Sequence, residues 1–210
     1  MPRQVLRFPV GRQFEEIIWS DNEWLVLTDL HLHPLVVREG TKNGVSGALA
    51  IDAFRELKQK IPEGQSLRIY NLHSHPRNQY VPSGTDLNTY IRHKIKPLPG
   101  IIEVGHGIIT PVGIYIIRLP GKEERLKTME NWLANRYGLE TRRTLNKDFN
   151  QKSWKDTTKH VAESGMNRQE FDEARSKARV KAFKKVLKLE PDIKTKMIRP
   201  THPKDMRRLR

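Results

Sequence analysis

The sequence predicts an α/β fold, with two main helices set against a sheet, followed by a basic helical extension. Three observations carry that expectation. Apolar runs of strand length, rich in Val, Ile and Leu, recur at 24–30, 67–72, 101–110 and 112–119. Between them, stretches near 46–61 and 83–94 place apolar residues at three- and four-residue steps, the spacing of helices. The charge also changes along the chain: residues 1–120 carry 14 Lys+Arg against 11 Asp+Glu, while residues 121–210 carry 25 against 13. The break falls near Pro120-Gly121, which divides a near-neutral domain over 1–120 from a basic, mainly helical extension over 121–210.

Residues 1–22 are weakly patterned, with one short strand or helical turn around Phe14 to Trp19. Trp24 to Leu30 is nearly all apolar and reads as a strand buried on both faces. His31 to Val37 reads as a second strand interrupted by Pro34, and Glu39 to Gly44 as a turn. Ser46 or Gly47 opens a helix with Leu49, Ile51, Ala53, Phe54 and Leu57 as its apolar positions, stopped by Ile61-Pro62. The strand Leu67 to Leu72 delivers His73, and a helix from about Ser83 to Lys94 follows. Ile101 to Thr110 and Val112 to Leu119 are further strands, joined by a tight turn at Pro111.

In the extension, Glu123 to Tyr137 sets Leu126, Met129, Trp132 and Leu133 at helical steps, an amphipathic helix docked on the core with Gly138 as its cap. Residues 141–168 are polar, with Trp154 as the large apolar anchor. Gln169 to Leu189 gathers Phe171, Ala174, Ala178, Ala182, Phe183, Val186 and Leu187 on one side, a face suited to a partner or a dimer mate. Lys194 to Arg210 carries many cations and little apolar content and is expected to be flexible.

Composition closes several routes. The chain has no cysteine, which excludes a thiol nucleophile, a disulfide framework and thiolate metal ligands together. No apolar run approaches the roughly 20 residues that cross a bilayer. Met1-Pro2-Arg3-Gln4 begins no long apolar signal region, so a cytoplasmic protein is expected. The net charge of +15 suits a nucleic acid or another acidic partner for the extension, or simply a solvated helical face.

Chemistry concentrates in His73-Ser74-His75-Pro76 and Ser83-Gly84-Thr85-Asp86. Side chains of a strand alternate between faces, so His73 and His75 point the same way and can grip one cation. Asp86 stands early in the next helix, where the helix dipole favours a carboxylate. Two imidazoles and a carboxylate, with a fourth position for water, make the ligand set of a hydrolytic zinc site. Each half also has a structural alternative. A lone His-x-His suits a wet strand face, and Ser83 with Asp86 forms a capping box.

The complete string, His-x-His-x7-Ser-x-x-Asp with proline after the second histidine, resembles the motif of the JAMM (MPN+) zinc metalloproteases at every defined position. That resemblance implies a JAMM/cytidine-deaminase-like mixed sheet over roughly residues 23–119. It also implies Zn2+ held by His73, His75 and Asp86, with Ser83 at the oxyanion. The family's general base is a Glu at the beginning of the first core strand, a position that Glu23 matches; Glu39, Glu15 and Glu16 compete for the role. The implied activity is cleavage of an amide or isopeptide bond after the C-terminus of a ubiquitin-like or other small modifier protein.

Gly40-Thr41 and His106-Gly107-Ile108-Ile109 look like the RadC-type bacterial branch, with two departures: Gly105 stands where that branch has Asp, and Arg77-Asn78-Gln79-Tyr80 replaces a Ser-Gly string. Through that branch a second expectation arises, a DNA-associated protein that binds by its basic tail around a non-catalytic metal site; a third is a docking scaffold. His31-Leu32-His33 repeats the strand spacing of a metal pair, and His106 is expected to pack beside the site or orient a neighbour.

Overall fold

The computed structural model describes residues 17, 20–75, 81–110, 113–130, 132–148 and 167–198. The turn at Pro111, the segment 77–80, Trp154 and the tail beyond 198 lie outside them, as does the lead-in around Phe14 to Trp19 apart from Ile17. Among the described residues the chain forms six strands and five helices, divided between two compact units.

The first unit holds a six-stranded mixed sheet and one helix. Its strands are β1 (Trp24–Thr28), β2 (Pro34–Glu39), β3 (Leu67–Ser74), β4 (Ile101–Thr110), β5 (Gly113–Arg118) and β6 (Lys194–Ile198), in the order β2-β1-β3-β4-β5-β6. Only β3 and β4 run parallel. Helix α1 (Gly47–Gln59) starts where Ser46 accepts a hydrogen bond from the Leu49 amide, and it packs along β2.

Alternation sorts the strands' apolar residues between two faces. Leu25, Leu27, Val36, Ile69 and Ile101 cluster with Ala53, Phe54 and Leu57 of α1. Val26, Tyr70, Leu72, Ile109, Ile114, Ile116 and Ile198 cluster on the other side, joined by Ile17 and Leu32. Ile51, expected on the inward face of α1, is 54% exposed instead.

Two expectations about the strands are corrected. His31 to His33 do not extend β2, because Leu32 adopts φ 68 and turns the chain, carrying its own side chain into the core. Lys194 to Ile198 is not loose tail but pairs antiparallel with β5, from Arg118↔Lys194 to Ile114↔Ile198.

The second unit gathers α2 (Gly84–Ile95), α3 (Glu123–Met129), α4 (Trp132–Asp148) and α5 (Arg168–Leu189). The boundary expected near 120 therefore shifts: α2 precedes it in sequence yet groups with the later helices, and β6 follows it yet belongs to the sheet. Within this unit α2 packs on α3 and α4, burying Leu87, Tyr90 and Ile91, and Arg92 donates to Glu130 at 2.9 Å. The single helix expected over 123–137 is two, because Glu130 takes extended backbone angles (φ −58, ψ 137) and ends α3. Gly138 consequently lies inside α4 and caps nothing.

Helix α5 opens with a capping box between Asn167 and Glu170. Its apolar side is covered by α4 within the chain, with Tyr137 set edge-on to Phe183 at 5.7 Å. Across that contact Glu140, 1% exposed, accepts from Lys185 at 2.7 Å and Arg143 at 3.0 Å and lies 3.2 Å from Arg136. The Lys185 bond, with help from the two arginines, holds this carboxyl below its ordinary range against the opposing effect of burial.

A carboxyl depressed in the folded state stabilises the fold above its unfolded pKa of about 4.3, and that contribution disappears as pH falls through the folded value. Glu140→Ala is expected to cost about 2 kcal/mol at pH 7, a deficit that shrinks toward zero in denaturation series taken below about pH 4.

Candidate metal centre

The antiparallel pairing of β1 with β3 sets Leu25 opposite His73, and Trp24 fixes the end of the ladder by donating its amide to Ser74 Oγ at 2.9 Å. Continued by two residues, the same register brings Glu23 opposite His75 and on the same face. The Glu23 Oε1 to His75 Nε2 distance is 4.0 Å.

Glu23 is held by the turn that follows β2. Its backbone amide donates to Thr41 O, its carbonyl accepts from Gly40, and its Oε2 accepts from the Val45 amide at 3.1 Å. A Cβ at Gly40 would stand 2.8 Å from Gly44 O and 3.0 Å from Glu23 O, so the turn can close on Glu23 only with glycine there. Of the competing carboxylates, Glu39 pairs across the ladder with Trp24 and accepts from Asn22, while Glu15 and Glu16 lie outside the described residues.

His73 Nε2 and His75 Nε2 face each other at 2.9 Å, and both side chains are buried. At that separation one nitrogen donates a hydrogen to the other, or both share a cation. Tetrahedral bonds of about 2.05 Å would set two nitrogens about 3.3 Å apart. Closing that gap needs only a small ring movement.

Asp86 lies in the first turn of α2 and makes the capping box with Ser83: its backbone amide donates to Ser83 Oγ at 3.2 Å, and its Oδ2 accepts from the Ser83 amide. Capping and ligation are compatible, since a carboxylate offers about four lone-pair sites. One donor atom each from His73, His75 and Asp86 lie within 4.8 Å of one another, a group that can hold a metal ion.

Beside His73 stands a buried pair that the motif did not include. The β3–β4 register slips between Ile69 and Tyr70, so that Val104 is an extra residue and Glu103 and His106, three apart, share the face of Asn71 and His73. Glu103 Oε1 lies 3.2 Å from His106 Nδ1, and the His106 ring centroid is 5.1 Å from that of His73. A single carboxylate inside the Ile- and Val-rich run 101–110 was the available signal for Glu103. Gly105 is confined by its surroundings, with Tyr70 Cδ1 and Ile117 O both 3.1 Å from where a Cβ would stand.

His31 and His33 do not form a second pair for a metal. Asp29 Oδ1 accepts from both their amides and Oδ2 meets His33 Nδ1 at 2.9 Å, closing an exposed turn. Burial alone would raise the Asp29 carboxyl, but the bonds from His33 and His31 hold it below its ordinary value.

No protein-family model, curated protein or solved structure matches the chain.

Titration of the purified chain with zinc or cobalt is expected to saturate at one ion per molecule, and His75→Ala and Asp86→Asn are each expected to abolish stoichiometric uptake. Glu103→Gln, which weakens the support behind His73, is expected to lower affinity by about 10-fold or more without changing stoichiometry.

Proposed function

We propose that the chain is a zinc-dependent hydrolase of amide bonds, acting in the manner of the JAMM metalloproteases that its motif resembles. The observation that carries this reading is the close grouping of His73, His75 and Asp86, with Glu23 facing His75. The proposed substrate is an amide or isopeptide bond after the C-terminus of a ubiquitin-like or other small modifier protein, an assignment that comes from the family resemblance.

When bound to His73, His75 and Asp86, zinc would supply a Lewis acid that polarises a carbonyl and lowers the pKa of water to about 7. Glu23 is suited to the proton work. Its Oε2 is occupied by the Val45 amide and its Oε1 is on the His75 side, so one oxygen anchors the group while the other receives a proton from the attacking water. Passing that proton to the departing nitrogen as the C–N bond breaks makes the amine a better leaving group and returns Glu23 to its starting state.

Ser83 has a second role in this reading. Its Oγ accepts from the Asp86 amide and so keeps its own hydrogen as a donor, which serves the oxygen that gains charge when water adds to the carbonyl. Such a donor contributes a few kcal/mol to the step. Strand and helix therefore have separate duties, proton transfer from Glu23 beside β3 and oxyanion support from the start of α2.

Zinc-loaded protein is expected to cleave at least one member of a panel of ubiquitin-like fusions, to lose that activity to a chelator and to regain it on zinc addition. Glu23→Gln is expected to keep its zinc and lose about 10²- to 10⁴-fold in kcat. A zinc-replete protein without chelator-sensitive cleavage across the panel overturns the reading.

A further inference from the structure

From Arg175 to Leu189 the sequence of α5 contains seven cations and no carboxylate. Helical geometry sorts them. Lys177, Lys181, Lys184 and Lys188 recur at steps of four, three and four residues, which places them in one stripe, and all four are exposed. Ala178, Ala182 and Val186 occupy the buried side of the same helix, and Lys185 is engaged with Glu140. At 1.5 Å per residue the stripe is about 16 Å long.

Such an arrangement opposes helix stability, because like charges three and four residues apart repel. Elsewhere the chain interleaves acids to relieve that repulsion, as in Lys60 with Glu56 and Lys127 with Glu123. Here it does not. Glu173 is the last carboxylate before the stripe, and the next two, Glu190 and Asp192, both engage Arg125. The helix dipole favours cations in the last turn, which accounts for Lys188 but not for Lys177 or Lys181.

We propose that this stripe is a docking surface for the phosphate backbone of a nucleic acid. A duplex presents one negative charge per about 1.7 Å of axis, a linear array that a linear row of ammonium groups matches. No apolar or aromatic side chain joins the four lysines along their stripe. The apolar anchors of a protein interface, and the wedge that would enter a bilayer, are therefore both missing from it. Recognition by such a row is electrostatic and independent of base sequence.

The test is fluorescence anisotropy of a labelled 20-base-pair duplex with the full chain across a salt series. Four phosphate contacts give a slope of log K against log salt of about −3.6, or about 150-fold weaker binding at 200 mM than at 50 mM salt. The combined variant Lys177→Gln, Lys181→Gln, Lys184→Gln and Lys188→Gln is expected to lose about three to four units of slope while keeping its melting temperature and its zinc uptake. The corresponding four-arginine variant is expected to retain the slope, which separates charge from folding. An unchanged slope in the glutamine variant, or equal binding of polyglutamate or of anionic lipid vesicles, overturns the proposal.

Discussion

The candidate centre depends first on the register between β1 and β3. Because side chains along a strand alternate with a period of two, a slip of one residue would turn every inward group outward. Here the register is set from two directions: Leu25 and Leu27 must join the α1 cluster, and the Trp24 amide must meet Ser74 Oγ. The same constraint that buries those leucines orients His73 and brings Glu23 across from His75. Packing and chemistry are thus specified by one pairing, and the hydrophobic pattern of an ordinary strand suffices to aim polar groups.

A second device supplies what alternation forbids. Glu103 and His106 are separated by an odd number of residues, so a regular strand would put them on opposite faces. The added residue at Val104 restores them to one face, where they form a buried acid–imidazole contact next to His73. A buried carboxylate is costly unless it is paired, which gives the bulge a physical reason to lie where it does. Gly105 fits the same account, since a side chain there would collide with Tyr70 and β5.

Much of this was legible in the sequence where local rules and burial agree. The His-x-His spacing, the capping residues Ser83 and Asp86, and the apolar runs of β1, β3 and β4 all obey periodicities that the fold enforces, and Glu23 emerged among the carboxylates as the one beside His75. The failures share a cause as well. Lys194 to Ile198 forms a strand by pairing its backbone with β5, while four of its five side chains remain exposed, so no apolar alternation advertises it. The turn at Leu32 uses a positive φ that residue type rarely signals, and the break at Glu130 is made by backbone angles without a proline or glycine at that residue. The bulge at Val104 is fixed by its neighbours in the sheet, which a single strand's sequence does not contain.

The pairing of Arg118 with Lys194 carries an architectural consequence. Residues 119–193 leave the sheet and rejoin it at facing positions of adjacent antiparallel strands, the place where a two-residue connection would otherwise serve. Topologically they are a long excursion spliced into a hairpin, and the sheet's ladder is indifferent to their length. The helix bearing Asp86 is not indifferent, because its buried face packs on α3 and α4, which belong to that excursion. A lineage that trimmed the loop back to a simple bend would keep its strands and forfeit the platform beneath a metal ligand.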